Sequence, residues 1–75
     1  MRSHGVGMIF NVEIEQEDDG RWLAEVLELP GVLAYGGTPE EARAKVQAFA
    51  LRVVAERLEH GEANPDLLNI SFQAA

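Results

Sequence analysis

The segment Leu29-Pro30-Gly31-Val32-Leu33-Ala34-Tyr35-Gly36-Gly37-Thr38-Pro39-Glu40-Glu41-Ala42 separates a β-rich first half of the chain from its one long helix. Pro30-Gly31 is a turn pair, because proline fixes φ and glycine adopts positive φ without steric cost. Val32–Tyr35 is short and β-prone, and Gly36-Gly37 ends it. Thr38 then predicts a helix N-cap, with proline at the first helical position and a glutamate three residues on that can complete a capping box.

Two alternating segments precede this boundary and predict a β-hairpin. In Met8–Gln16 every second residue is apolar, so one face of this strand is expected to be buried. Asp19-Gly20 is a strong hairpin turn signal, and Arg21–Glu28 is the predicted return strand. Its core face is expected to carry Trp22, Ala24 and Val26. Its outer face is expected to carry Leu23, Glu25 and Leu27, beside Ile9.

The predicted helix runs from about Pro39 to His60, with Gly61 as its C′ residue. At 1.5 Å per residue it is roughly 33 Å long, which exceeds the length of the predicted strands. The residues expected to cover the core are Ala42, Val46, Phe49, Ala50 and Val53. A second apolar stripe consists of Leu51, Val54 and Leu58. One small sheet cannot cover both stripes, so the second predicts a contact between subunits, in a dimer or tetramer.

Leu68–Gln73 completes the predicted order β-β-β-α-β, because Ile70 and Phe72 share one face. A right-handed crossover through the helix returns this last strand parallel to the third. The free position beside the first strand then gives a mixed sheet of order 4-1-2-3. The sequence therefore predicts an α/β (α+β) two-layer sandwich with one helix on one sheet face.

The length and composition predict one domain, 1–75, with a frayed lead-in over residues 1–7. The sequence offers both Met1 and Met8 as translation starts. There is no cysteine, and no apolar segment approaches the roughly 20 residues of a membrane span, so a cytoplasmic location is expected. A formal net charge of −7 disfavours direct binding to nucleic acid and is compatible with a basic partner.

No residue pattern in the sequence indicates an enzyme, a cofactor or a metal site. The densest carboxylate group, which includes Glu13 and Glu15, is typical of a solvated strand face that leads into a polar turn. His4 and His60 have no neighbouring nucleophile. Gly36-Gly37 lacks the remaining residues of a phosphate-binding loop. A residual metal-dependent nuclease that uses the acidic residues is a functional hypothesis that the sequence disfavours.

Three motifs together resemble the HicB-like antitoxin family over roughly residues 8–73. They are Asp19-Gly20-Arg21-Trp22-Leu23-Ala24-Glu25-Val26, then Glu28-Leu29-Pro30-Gly31, then Gly36-Gly37-Thr38-Pro39-Glu40-Glu41-Ala42. The family usually has proline at position 27, cysteine at 32 and aspartate at 37, where this chain has Leu27, Val32 and Gly37. The resemblance implies a partial RNase H-like fold.

The same resemblance implies a non-catalytic module that binds and neutralises a small basic, mRNA-cleaving toxin of the HicA type. A DNA-binding segment, present in complete HicB antitoxins, is not expected, since the sequence stops just after the last strand. Candidate partner-binding residues are Glu13, Glu15, Glu25, Leu23 and Leu27. The alternative is a stand-alone homo-oligomeric protein without a toxin, for which Leu51, Val54 and Leu58 are the candidate interface.

Overall fold

The computed structural model describes residues 7–62 and 69–75, which form a four-stranded mixed sheet with one helix on one of its faces. The strands are β1 (Gly7–Gln16), β2 (Trp22–Val26), β3 (Leu33–Gly36) and β4 (Asn69–Ala74), and the helix α1 (Pro39–Glu59) lies between β3 and β4 in the chain. The spatial order is β3-β2-β1-β4, with β4 parallel to β1. The predicted α+β architecture and strand order are confirmed.

The β1–β2 hairpin forms at the predicted turn. Gly20 has φ of 92°, which a side-chain-bearing residue rarely adopts, and its N–H donates to the Glu17 carbonyl. Arg21 leads from the turn into β2, and its carbonyl oxygen accepts a hydrogen bond from the Glu17 N–H at 2.7 Å. β2 is shorter than the predicted Arg21–Glu28, and β3 has the predicted four residues but begins and ends one residue later than Val32–Tyr35. The reason is that the loop between them closes on itself, with Val32 donating to the Leu29 carbonyl.

The helix begins where the sequence predicts. The Thr38 side chain accepts a hydrogen bond from the Glu41 N–H at 3.0 Å, as an N-cap does. The Glu41 carboxylate, however, accepts from the N–H of Gly37 rather than from that of Thr38, so the predicted capping box closes one residue earlier. At the other end, His60 is the C-cap and Gly61 has a φ of 71°, as predicted.

A single apolar core lies between the helix and the inner face of the sheet. The helix packs mainly on β3 and β2 and less on β1. Phe10 is 2% exposed, and its ring centroid lies 5.5 Å from that of Phe72 on the neighbouring parallel strand. The other buried residues are Val12, Ala24, Val26, Leu29, Val32, Ala42, Val46, Ala50 and Val54.

Val54 corrects the prediction for the helix. It was assigned to the second, outward stripe, but it is 3% exposed and belongs to the core, whereas Phe49 and Val53 are only partly buried beside it. The buried helix residues recur at every fourth position from Ala42 to Val54. Such a row is inclined by about 26° to the helix axis, so the line of contact with the sheet rotates toward Val54 along the helix.

The last turn of the helix extends beyond the core. Every residue from 55 to 60 is exposed, so the helix overhangs the sheet as its predicted length requires. Glu41 and Lys45, four residues apart on the helix, form an ion pair at 3.9 Å. Among the described residues, Arg52 has no carboxylate within ion-pair distance, although Glu56 lies four residues further along the helix; its guanidinium lies 5.9 Å from the Phe49 ring centroid.

The predictions for Leu68, His4 and the lead-in over residues 1–6 fall outside the described residues. The described part of β4 begins at Asn69, and its inward side chains Ile70 and Phe72 pack against the core as predicted. Within residues 7–62 and 69–75, no helix combines the length and the apolar character that crossing a membrane requires.

Candidate protein-interaction surface

The face of the sheet opposite the helix brings the candidate partner-binding residues together. Glu13 of β1 is directly opposite Glu25 of β2, and Glu15 is directly opposite Leu23. Since side chains alternate along a strand, all four point away from the core. We call this surface the outer sheet face, and the structure places each of the predicted residues Glu13, Glu15, Glu25, Leu23 and Leu27 on or beside it.

Apolar side chains surround these carboxylates on the outer sheet face. Leu27 is 47% exposed and Ile9 is 56% exposed, as the alternation predicts. Leu33 of β3 is the cross-strand partner of Glu25, and Tyr35 is the partner of Leu23. The exposed large apolar residues on this side of the sheet are Ile9, Leu27, Leu33 and Tyr35.

Leu33 and Tyr35 are the residues of this surface that the sequence analysis missed. It identified the strand without assigning faces to its residues. The sequence does contain a signal for the faces of this strand. Val32 is apolar beside a turn, and Leu33 and Tyr35 alternate with Ala34, which packs toward the core. The register with β2 then places Leu33 and Tyr35 on the outer sheet face.

The acidic charge of the chain is concentrated on the sheet side. From Gly7 to Gly36 the sequence has seven acidic residues and one basic residue, Arg21, whereas α1 has four of each. Arg21 is already engaged: its guanidinium bonds Asp19 at 2.8 Å and lies 4.3 Å from the Tyr35 ring centroid. The sheet side therefore has a negative field with little internal compensation.

The Glu13–Glu25 pair has an energetic cost. Residues directly opposite on antiparallel strands have Cα atoms about 4.5–5.5 Å apart, and like charges in such positions destabilise the sheet. Glu15 lies on the same face two residues along β1. A cation placed between these carboxylates would remove the repulsion. The arrangement favours a positively charged ligand or partner.

A polar chain of side chains borders the carboxylates on the β4 side. Gln73 donates to the Asn11 side-chain oxygen at 2.7 Å, and Asn11 in turn donates to the Glu28 carboxylate through its side chain at 2.6 Å and its backbone N–H at 2.7 Å. The two bonds from Asn11 lower the pKa of Glu28 from its ordinary value of 4.5, the side-chain bond being the main cause. They connect β4, β1 and the loop after β2.

The Asn11–Glu28 contact predicts a specific pH dependence. Because the pKa of Glu28 is lowered in the folded state, its contribution to stability is present above pH 4.5 and is lost as the pH falls through the folded pKa. Replacing Asn11 by alanine removes the side-chain donor, so the pKa of Glu28 should rise toward 4.5. Carbon-detected NMR titration of the Glu28 carboxyl measures this shift. Asp19, whose pKa is lowered mainly by the Arg21 backbone N–H, is the internal control and should titrate unchanged.

The described residues offer no metal centre. No group of three or more His, Cys, Asp or Glu side chains in residues 7–62 and 69–75 is arranged to hold a metal ion. His60 lies at the end of the helix, where its Nδ1 is 2.8 Å from the Glu56 carbonyl oxygen.

The candidate oligomer residues lie on the helix, on the opposite side of the molecule. Leu51 is 46% exposed and Leu58 is 40% exposed, so both remain available for a contact, while Val54 is buried and does not. Within the described residues, the structure thus separates two exposed surfaces with apolar residues: the outer sheet face and the outward face of α1.

Comparisons of the chain with known proteins find no relative that would assign a role to these surfaces. A scan against protein-family models finds no match, and neither do searches of curated proteins or of solved structures.

Proposed function

We propose that this chain is a non-catalytic, antitoxin-like interaction module that binds and neutralises a small basic RNA-cleaving toxin of the HicA type. The observation that supports this proposal most is the grouping of Glu13, Glu15 and Glu25 with exposed apolar residues on the outer sheet face. The residue motifs that resemble HicB-like antitoxins supply the class of partner. The surface supplies the site and the physical basis of binding.

Charge supports a basic partner in two ways. An acidic face steers a cationic protein during diffusional encounter and raises the association rate, an effect that salt screens. A partner Lys or Arg placed at Glu13 and Glu25 would also relieve the repulsion between these carboxylates. A toxin that binds RNA phosphates has such cations, so occupying them would block the RNA-binding surface.

Apolar contacts supply the remaining part of the binding energy. Leu27, Leu33 and Tyr35 are partly exposed around the carboxylates, and desolvated apolar anchors dominate the energetics of most interfaces. A specific protein interface combines apolar and polar groups, usually with the apolar groups at its centre, whereas here Leu33 and Tyr35 of the edge strand flank the central carboxylates. The outer sheet face has both components.

The first test is whether a small basic protein of the HicA type is encoded beside this chain's gene, since its absence would favour the stand-alone oligomer; the second measures binding and inhibition with that protein in purified form. The chain is expected to bind it and to stop its RNA cleavage at a stoichiometric ratio. The double variant Glu13→Gln/Glu25→Gln should bind about tenfold more weakly at low salt, mainly through a slower association rate. Titration calorimetry and stopped-flow kinetics give these quantities.

The matched control is Glu56→Gln/Glu62→Gln, which changes the net charge by the same amount at exposed positions near the end of α1. It should bind close to the unmodified chain. Equal losses of affinity in both double variants would mean that net charge alone determines binding and would contradict the assigned site. Absence of inhibition by the unmodified chain would favour the stand-alone oligomer instead.

A further inference from the structure

The outward face of α1 carries a continuous apolar stripe. Its members are all exposed and all apolar: Ala44, Ala48, Leu51, Ala55 and Leu58. At 100° per residue they lie within about 80° of arc, on the side of the helix away from the sheet. We call this set the outward stripe. It contributes nothing to the core of the chain, whose helix residues begin on the opposite side at Ala42 and approach the stripe only at Val54.

The spacing of the outward stripe is that of a helix-pairing seam. Successive members are four, three, four and three residues apart, the alternation that keeps apolar residues on one seam between two helices. The alanines allow helix axes to approach toward the short end of the usual 8–10 Å range. Leu51 and Leu58 provide the side chains that fill the seam.

We infer that a second copy of this chain covers the outward stripe, in an antiparallel pair of α1 helices. Antiparallel pairing centred at residue 52, close to the middle of the stripe, places Leu58 between Ala44 and Ala48 of the second copy and Leu51 between its Leu51 and Ala55. Each large residue then meets a small one, and the arrangement is the same for both copies, as a two-fold dimer requires. The helix dipoles also oppose each other in this orientation.

The charges along one edge of the stripe identify the orientation. Lys45, whose Nζ is also 3.9 Å from the Glu41 carboxylate, lies near the start of this edge and Glu59 near its end, and both are exposed. In an antiparallel pair, Lys45 of each copy faces Glu59 of the other, whereas a parallel pair would bring like residues to the same level. Arg52, midway along the edge, has its guanidinium over the Phe49 ring, on the sheet side of the helix and away from the stripe.

The size of the stripe sets the expected strength of association. Standard interfaces use about 20–30 residues on each side, and the outward stripe with its charged edge offers fewer. Self-association is therefore expected to be weak and to depend on concentration. The outer sheet face lies on the opposite side of the molecule, so a helix-paired dimer presents two outer sheet faces, each free to bind a partner.

Sedimentation equilibrium tests this inference from about 10 μM to about 1 mM chain. The average mass should rise from 8.2 kDa toward twice that value. Leu51→Glu should hold it at 8.2 kDa. The matched control is Leu27→Glu on the outer sheet face, because Leu27 and Leu51 are 47% and 46% exposed; it should associate like the unmodified chain.

A charge swap tests the orientation without relying on Leu51. Lys45→Glu and Glu59→Lys should each weaken association, and the double variant should restore it, since the facing charges are exchanged. Circular dichroism verifies that all variants fold. An unmodified chain that stays at 8.2 kDa throughout, a loss caused by Leu27→Glu but not by Leu51→Glu, or a double swap without rescue would each overturn the inference.

Discussion

Replacing Phe10 by alanine should lower the free energy of unfolding by about 3–5 kcal/mol. The side chain is 2% exposed and packs on Phe72, so its removal forfeits both apolar burial and the contact between the central strand β1 and β4. A chain of this size has a total stability of roughly 4–11 kcal/mol. The loss is therefore a large fraction of the total stability, and the midpoint of urea unfolding should fall markedly.

Urea denaturation followed by the fluorescence of Trp22, the single tryptophan, measures this loss. The matched control is Ile9→Ala in the same strand: Ile9 is 56% exposed on the outer sheet face, and its loss should cost less than about 1 kcal/mol. Equal losses at positions 9 and 10 would contradict the assignment of the two sheet faces.

Replacing Gly36 by alanine should destabilise the chain by about 1–3 kcal/mol, although only one methyl group is added. A Cβ built at Gly36 would lie 2.5 Å from the backbone nitrogen of Ala42, in the first turn of α1. Backbone cannot rotate aside as a side chain can. The end of β3 and the start of the helix must therefore move apart, which loosens the packing of the helix on β3, the strand that it contacts most.

The neighbouring glycine provides the control for this close approach. A Cβ at Gly37 would meet only the flexible Glu41 carboxylate, at 3.5 Å, and Gly37 does not have a positive φ. Gly37→Ala should therefore be close to neutral, or slightly stabilising because it restricts the unfolded chain. Chemical denaturation compares the two variants. A loss at position 37 as large as that at position 36 would contradict the packing of α1 on β3.

The element order and the sheet topology were predictable from the sequence because each boundary has its own local signal. Asp19-Gly20 and Pro30-Gly31 fix the turns, Thr38-Pro39 fixes the helix start, and the handedness of crossovers fixes the place of β4. The alternation in β1 also separated Phe10 from Ile9 correctly, because a period of two assigns faces without knowledge of tertiary contacts.

The helix faces were harder to predict, because an apolar helix residue can face the core or a partner. Val54 was placed on the outward side since it lies next to Leu51 in the helical projection, but the inclined contact with the sheet buries it. Ala44, Ala48 and Ala55 were not recognised as parts of the outward face. Alanine gives little apolar signal by itself, and only their spacing with the leucines shows that they share a face.

In the function proposed above, the acidic outer sheet face binds a basic partner, and the outward stripe on α1 binds a second copy of the chain. These roles are separable because the surfaces lie on opposite sides of the molecule. The like-charged pair Glu13–Glu25 lowers the stability of the sheet in the free chain. Binding of a cationic partner would recover that loss, which links the energetics of the fold to the proposed function.

The most direct measurement of the central claim is an amide chemical-shift map of the labelled chain during addition of the basic toxin. We expect the largest changes in amide chemical shift on the outer sheet face, at Glu13, Glu25 and Leu27, and only small changes at residues 51–58 of α1. Changes centred on the helix with Glu13 and Glu25 unperturbed, or no changes at a saturating amount of toxin, would contradict it.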